Sequence, residues 1–270
     1  MTQTPIRRII CMHIRGILCL VTVLAASRLQ AEWMPPADPN PKTILDEARE
    51  DTQAKRYEDA LAKHVWYHEN ALRLQPAQMG VRLSFALNDW IRLGKLYPPA
   101  LEKLKSIRDK NAETVKAGRD AKESFEDFSA INDHLEDADK TKNLFVWLDA
   151  HQAKTAKELF DEAMPALIKA KEYKLCGKYL VDAEGCYQQY LESYKRRPRS
   201  SPNPETAKLM AQIWEENFSN DVATLVALLE LNGRRADAEA IVAEALEVRS
   251  DSEFKAVLDK ALEGQVPEPR

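Results

Sequence analysis

His64 and His68 stand four residues apart. That spacing puts two imidazoles on one helical face, where they could hold a metal ion. The segment HVWYHEN brings no third ligand at a defined spacing, and His68-Glu69 lacks the second histidine of a zinc-protease motif. With Trp66 and Tyr67 between them they fit ordinary helix-pair positions, so no metal is expected. Glu123, Glu126 and Asp127, and then Glu136, Asp137 and Asp139, are carboxylates close enough along the chain for acid–base work. Nothing in the sequence gathers them around a pocket, and a solvated charged face is the simpler expectation. The stretch DADKTKNLF lacks the central glycine and terminal glutamate of a calcium loop. Tyr187, Tyr190 and Tyr194 share a helix face, which reads as an interface with wet hydroxyls. The run Lys195, Arg196, Arg197, Arg199 could meet an anionic surface, but its prolines and serines make it an exposed connector. With only 8 glycines and no GxGxxG, GxxxxGK or GxSxG motif, the chain has no phosphate-cradling loop or nucleophile elbow. We therefore expect no catalytic residue and no cofactor.

Residues 1–31 contain no Asp or Glu, open with Arg7, Arg8 and Arg15, run through an apolar Gly16–Ala26, and end on small residues up to Ala31. This is the order of a secretory signal peptide, too short in its apolar part for the roughly 20 residues of a membrane span. An uncleaved N-terminal anchor is the alternative. Without this segment 35 basic residues face 43 acidic ones, so the net charge moves from -4 to -8. That charge disfavours nucleic acid. It leaves Cys176 and Cys186, which an oxidising compartment could bridge. Ten residues of one helix span about 15 Å, too far for a disulfide, so a bridge requires a turn at Gly177. Otherwise both are small side chains of the core.

Stepping outward to the elements, residues 32–42 carry four prolines and read as an extended leader. Beyond them helical periodicity dominates, with helices expected at 43–54, 57–74, 77–95, 98–117, 121–136, 141–151, 153–175, 178–195, 204–231, 234–248 and 251–263. Pro98-Pro99 starts one helix, Asn232-Gly233 ends another, and Ser250 or Asp251 caps the last. The expected divisions are a helical domain over 43–195, a connector at 196–204, a C-terminal helical segment over 205–263 and a frayed tail at 264–270. Tyr57, Ala60, Leu61 and His64 recur 40 residues later as Tyr97, Ala100, Leu101 and Leu104. A turn at Asp137-Ala138-Asp139 and a helix start at Gly177-Lys178-Tyr179 continue that spacing.

In these motifs the chain resembles the tetratricopeptide repeat (TPR) family. The residues that carry the likeness are Leu225, Val226, Leu229, Gly233, Ala238, Ala245 and Leu246, and then Leu87, Asn88, Ile91, Tyr97, Ala100 and Leu101. The family period is about 34 residues, shorter than the 40 seen here. Asn88 and Val226 stand where a small residue is usual, and Arg235 replaces an aromatic. The resemblance implies an all-α fold of stacked antiparallel helix pairs, a TPR-like α-solenoid with a concave face. It further implies a peptide-binding groove carried by Arg82, Phe85, Asp89 and Arg92. The expected function is an exported, periplasmic or secreted, protein- or peptide-binding scaffold without catalysis. The alternatives are an accessory or catalytic helical domain of an exported system, or an envelope-assembly subunit held by its N-terminus.

Overall fold

The computed structural model describes residues 33–196 and 203–269. The expected signal peptide, and Arg197 and Arg199 of the basic run, lie outside the described residues. Helix formation starts where a capping side chain meets a proline. Asn40 accepts a hydrogen bond from Thr43 N at 3.2 Å, and Pro41 takes the first position of α1 (Pro41–Gln53). The proline start recurs further along, without a side-chain cap. Tyr97 precedes α5 (Pro98–Lys116), which begins on two prolines. Between them lie α2 (Tyr57–Leu74), a 3-10 turn at Pro76–Gln78, the one-turn α3 (Met79–Arg82) and α4 (Phe85–Leu96).

The chain continues as α6 (Ala121–His134), α7 (Ala138–His151), α8 (Ala153–Glu158), α9 (Phe160–Lys169), α10 (Tyr173–Tyr179) and α11 (Ala183–Lys195). It closes with α12 (Pro204–Leu231), α13 (Arg235–Val248) and α14 (Ser252–Leu262). Asn203 caps α12 by accepting from Glu205 N and Thr206 N, and Asp251 caps α14 by accepting from Phe254 N at 3.0 Å. The described residues are all-helical, and no strand occurs among them. No helix among them is long and apolar enough to cross a membrane.

Short connections fold consecutive helices back on one another, and α1 packs on α2, α4 on α5, α5 on α6, and α12 on both α13 and α14. The 40-residue offset appears as physical contact. Tyr57 and Tyr97 stack with ring centroids 5.9 Å apart, and Arg49 Nε donates to Asp89 Oδ2 at 2.6 Å, also across 40 residues. Ala60 and Ala100, the small residues at matching positions, are both fully buried. Trp90 fills the space beside them and donates its indole N–H to Ala100 O at 2.9 Å, so the largest core side chain leaves no polar group unsatisfied.

Five expectations require correction. The helix expected over 77–95 is broken at Leu83-Ser84, so α3 and α4 have different faces. The helix expected over 153–175 is three pieces, with Lys171 in the left-handed region at φ 60°. Gly177 starts no helix; it lies inside α10, where a Cβ would collide with the Asn232 side chain. The connector does not divide two cores, because Tyr187, Leu191 and Tyr194 before it share one apolar cluster with Phe218, Val222 and Phe254 after it. The tail is also better ordered than expected: Gly264 turns the chain at φ 79°, and Val266 packs against that same cluster.

Candidate functional site

The turn between α2 and α4 sets up a polar cleft. Because α3 is a single turn, Arg82 swings away from the exposed face of α4 and is only 4% exposed. Its guanidinium forks onto Asp127 of α6, donating from Nη1 to Oδ1 and from Nη2 to Oδ2, the latter at 2.7 Å. Arg82 Nε donates to His68 O at 2.8 Å. His68 Nε2 lies 3.3 Å from Asp127 Oδ2. Burial raises the carboxyl's proton affinity, but hydrogen bonds from His68 and Arg82 outweigh it and hold Asp127 below its ordinary value. This buried, fully forked pair is rigid. Removing either partner would leave an uncompensated charge, at a cost of about 3–5 kcal/mol.

Above this floor opens a cleft of about 830 Å³ between α2, α3, α5 and α6. Its walls are mixed. Leu72, Met79 and Ile107 give apolar surface, while Glu69, Arg73, Lys110 and Glu123 give exposed charges of both signs on the rim. Asn111 Nδ2 is enclosed and has no partner within the protein. Deeper on α6, burial first, and then the nearby Glu162, push the Glu126 carboxyl above its ordinary value. Lys122 lies 3.9 Å from Glu126 and 3.8 Å from Glu162, so one ammonium serves two carboxylates.

The structure separates the four residues expected to form one groove. Phe85, Asp89 and Arg92 do share a face of α4. Phe85 is 66% exposed and the Arg92 side chain is 71% exposed. Asp89 is held between Arg49 at 2.6 Å and Arg92 at 3.5 Å. Arg82 is not on that face; it belongs to the cleft floor. His64 and His68 also part company. His68 faces Asp127, whereas His64 is buried against Trp90 with both ring nitrogens unpartnered. No group of three metal-ligating side chains forms among the described residues.

Cys176 and Cys186 are free thiols on two different helices, α10 and α11. Burial pushes the Cys176 thiol up to about 12, which makes it a core side chain rather than a nucleophile. Of the acidic run, Glu123, Glu126 and Asp127 all line the cleft and Asp127 forms its floor; no local pattern marked Arg82, 45 residues away, as the partner of Asp127. No family model, curated protein or solved structure matches the chain.

Proposed function

We propose that this chain is an exported helical-repeat module that binds a segment of a partner protein in the cleft between α2, α3, α5 and α6, without catalysis. In this reading its helix pairs form a TPR-like stack, and residues 1–31 are removed on export. The observation that carries the reading is the cleft itself. A rigid Arg82–Asp127 floor lies beneath apolar walls and a rim of exposed charges of alternating sign. A polypeptide offers what such a surface takes: apolar side chains for Leu72, Met79 and Ile107, a carbonyl for the Asn111 amide, and charges for the rim. The two inner carboxylates of the cleft are committed otherwise, Asp127 to a bidentate guanidinium and Glu126 to a shared Lys122. The 40-residue contacts Tyr57–Tyr97 and Arg49–Asp89 support the stacked arrangement.

Selection of peptides from a random library against residues 32–270 tests this reading. Selected peptides should bind the natural chain and lose about tenfold or more affinity, some 1.4 kcal/mol, in a Lys110→Glu/Glu123→Lys variant. A Phe85→Ala/Arg92→Ala variant on α4 should keep them. Loss confined to the α4 variant would move the site there and overturn the cleft assignment.

A further inference from the structure

A second cavity lies far along the chain from the cleft, between α9, α11 and α12, and it has the character of a small-molecule site. Its volume is about 260 Å³, a little under the range usual for drug-sized ligands. Tyr190 and Tyr194 reach it from one turn of α11, and Trp214 and Phe218 from one turn of α12. Met164 and Pro165 of α9 close one side, and Pro269 of the C-terminal tail borders it. The tail is thus part of the wall, a role its sequence did not suggest.

Polar groups converge on this aromatic box. The Trp214 indole N–H is enclosed and has no partner within the protein. Thr224, 6% exposed, places a hydroxyl-bearing side chain in the same wall, one residue face along from Trp214, Asn217 and Asp221. A buried donor without a partner costs stability, so a site that keeps one is organised for something that accepts from it. The Tyr190 phenol is held protonated, by burial first and then by the nearby Cys186, Asp221 and Asp161, and remains a donor. Asn220 and Ser193 add further neutral polar groups.

The charge balance narrows the ligand. Among the described residues that line the cavity none is Lys, Arg or His, which argues against an anion. Asp221 is not without a partner in the protein, so its carboxylate is not left open for a cationic ligand. What remains is a neutral molecule with a flat, C–H-bearing face and several hydroxyls or an amide. A pyranose ring has that character: its polarised C–H groups suit the negative face of Tyr190, and its hydroxyls and any acetamido group suit Trp214 Nε1, Thr224 and Asn220.

We infer that the cavity between α9, α11 and α12 binds a single neutral saccharide ring, stacked on Tyr190 and hydrogen-bonded by the Trp214 indole and Thr224. This site is independent of the peptide cleft and would stand if that assignment fell. The experiment is saturation-transfer NMR and calorimetry on residues 32–270. N-acetylglucosamine, glucose and galactose are the probes, with choline and inorganic phosphate as the cationic and anionic arms. At least one sugar should bind with a dissociation constant of about 1 mM or tighter, its ring protons receiving saturation. Trp214→Phe keeps an aromatic side chain but removes the indole donor, Thr224→Val keeps the shape but removes the hydroxyl, and each should weaken binding about tenfold. A Phe85→Ala variant should bind like the natural chain. Unchanged thermal unfolding of the Trp214 and Thr224 variants would show that the loss is local. Binding of none of the sugars, binding of choline or phosphate in their place, or full affinity in both variants would overturn the assignment.

Discussion

At the scale of single residues, the most informative group is one that the site does not use. His64 is 1% exposed, stacked on Trp90 with ring centroids 5.7 Å apart, and both its nitrogens lack partners. Burial lowers its pKa to about 4, with Asp89 pulling it up and Arg49 pushing it down. Unfolded, the imidazole takes its proton near 6.5; folded, only near 4. Between those values the unfolded chain binds more protons, so stability is held above pH 6.5 and falls as pH drops through 6.5 to 4, by about 3 kcal/mol in all. His64→Leu should abolish that part of the slope, which urea unfolding from neutral pH down to about pH 4 would measure. A variant with an unaltered slope would remove His64 as its cause. The two histidines illustrate how far residue spacing can be read. Their shared helix was legible, but not which of them would meet a charge. Asp127 reaches His68 from α6, nearly sixty residues on, and no local pattern encodes that meeting.

At the scale of elements, helical periodicity placed α2 and α12 within their observed bounds, because long periodic runs leave little choice, and α12 adds an Asn203 cap and a Pro204 start. The turns were harder. Glycine marks the left-handed residue after α5, α12 and α14, but Lys55, Glu136 and Lys171 adopt the same conformation after α1, α6 and α9. In each case the following N–H bonds back to the last helical turn, as Arg56 N does to Asp51 O at 2.9 Å. The motif's hydrogen bonds stabilise these ends without the residue that normally signals them, so the sequence offered no punctuation there. Conversely, Gly94 is not a turn glycine. It lies inside α4, and a Cβ there would stand 2.9 Å from Leu101 Cβ and 3.2 Å from the α5 backbone. Contact with backbone cannot be relieved by a rotamer change, so Gly94→Ala should force α4 and α5 apart at a cost of about 1–3 kcal/mol. Gly80→Ala, with open space around it, serves as the control and should cost nothing. Equal unfolding midpoints for the two variants would refute this account of the α4–α5 packing.

At the scale of the whole chain, the apolar clusters of the described residues succeed one another with overlap in sequence. Leu45, Tyr67, Ala71 and Ala86 form the first; Ala60, Trp90, Leu104 and Ile131 the second; and a large third runs from Val115 to Ala261. The polar ties between helices respect the same order. Arg82 meets Asp127 across 45 residues, Lys178 meets Asp149 across 29, and Asn232 donates to Tyr173 O across 59. The described residues of the first two clusters are therefore held by helices close to them in sequence, a condition under which stability can be divided along the chain. The consequence can be tested at Phe254. This side chain is fully buried against Phe218, with ring centroids 5.7 Å apart, and lies under the Arg249 guanidinium. Phe254→Ala removes core volume at the C-terminal end and should cost about 3–5 kcal/mol locally. Under native conditions that loss should open the nearest helices and spare the distant ones. Hydrogen exchange followed by mass spectrometry should then show faster exchange across α12, α13 and α14, with α1 and α2 exchanging as in the natural chain. If the amides of α1 and α2 lose protection to the same extent, the chain unfolds as one cooperative block, and the serial order of its clusters has no energetic meaning.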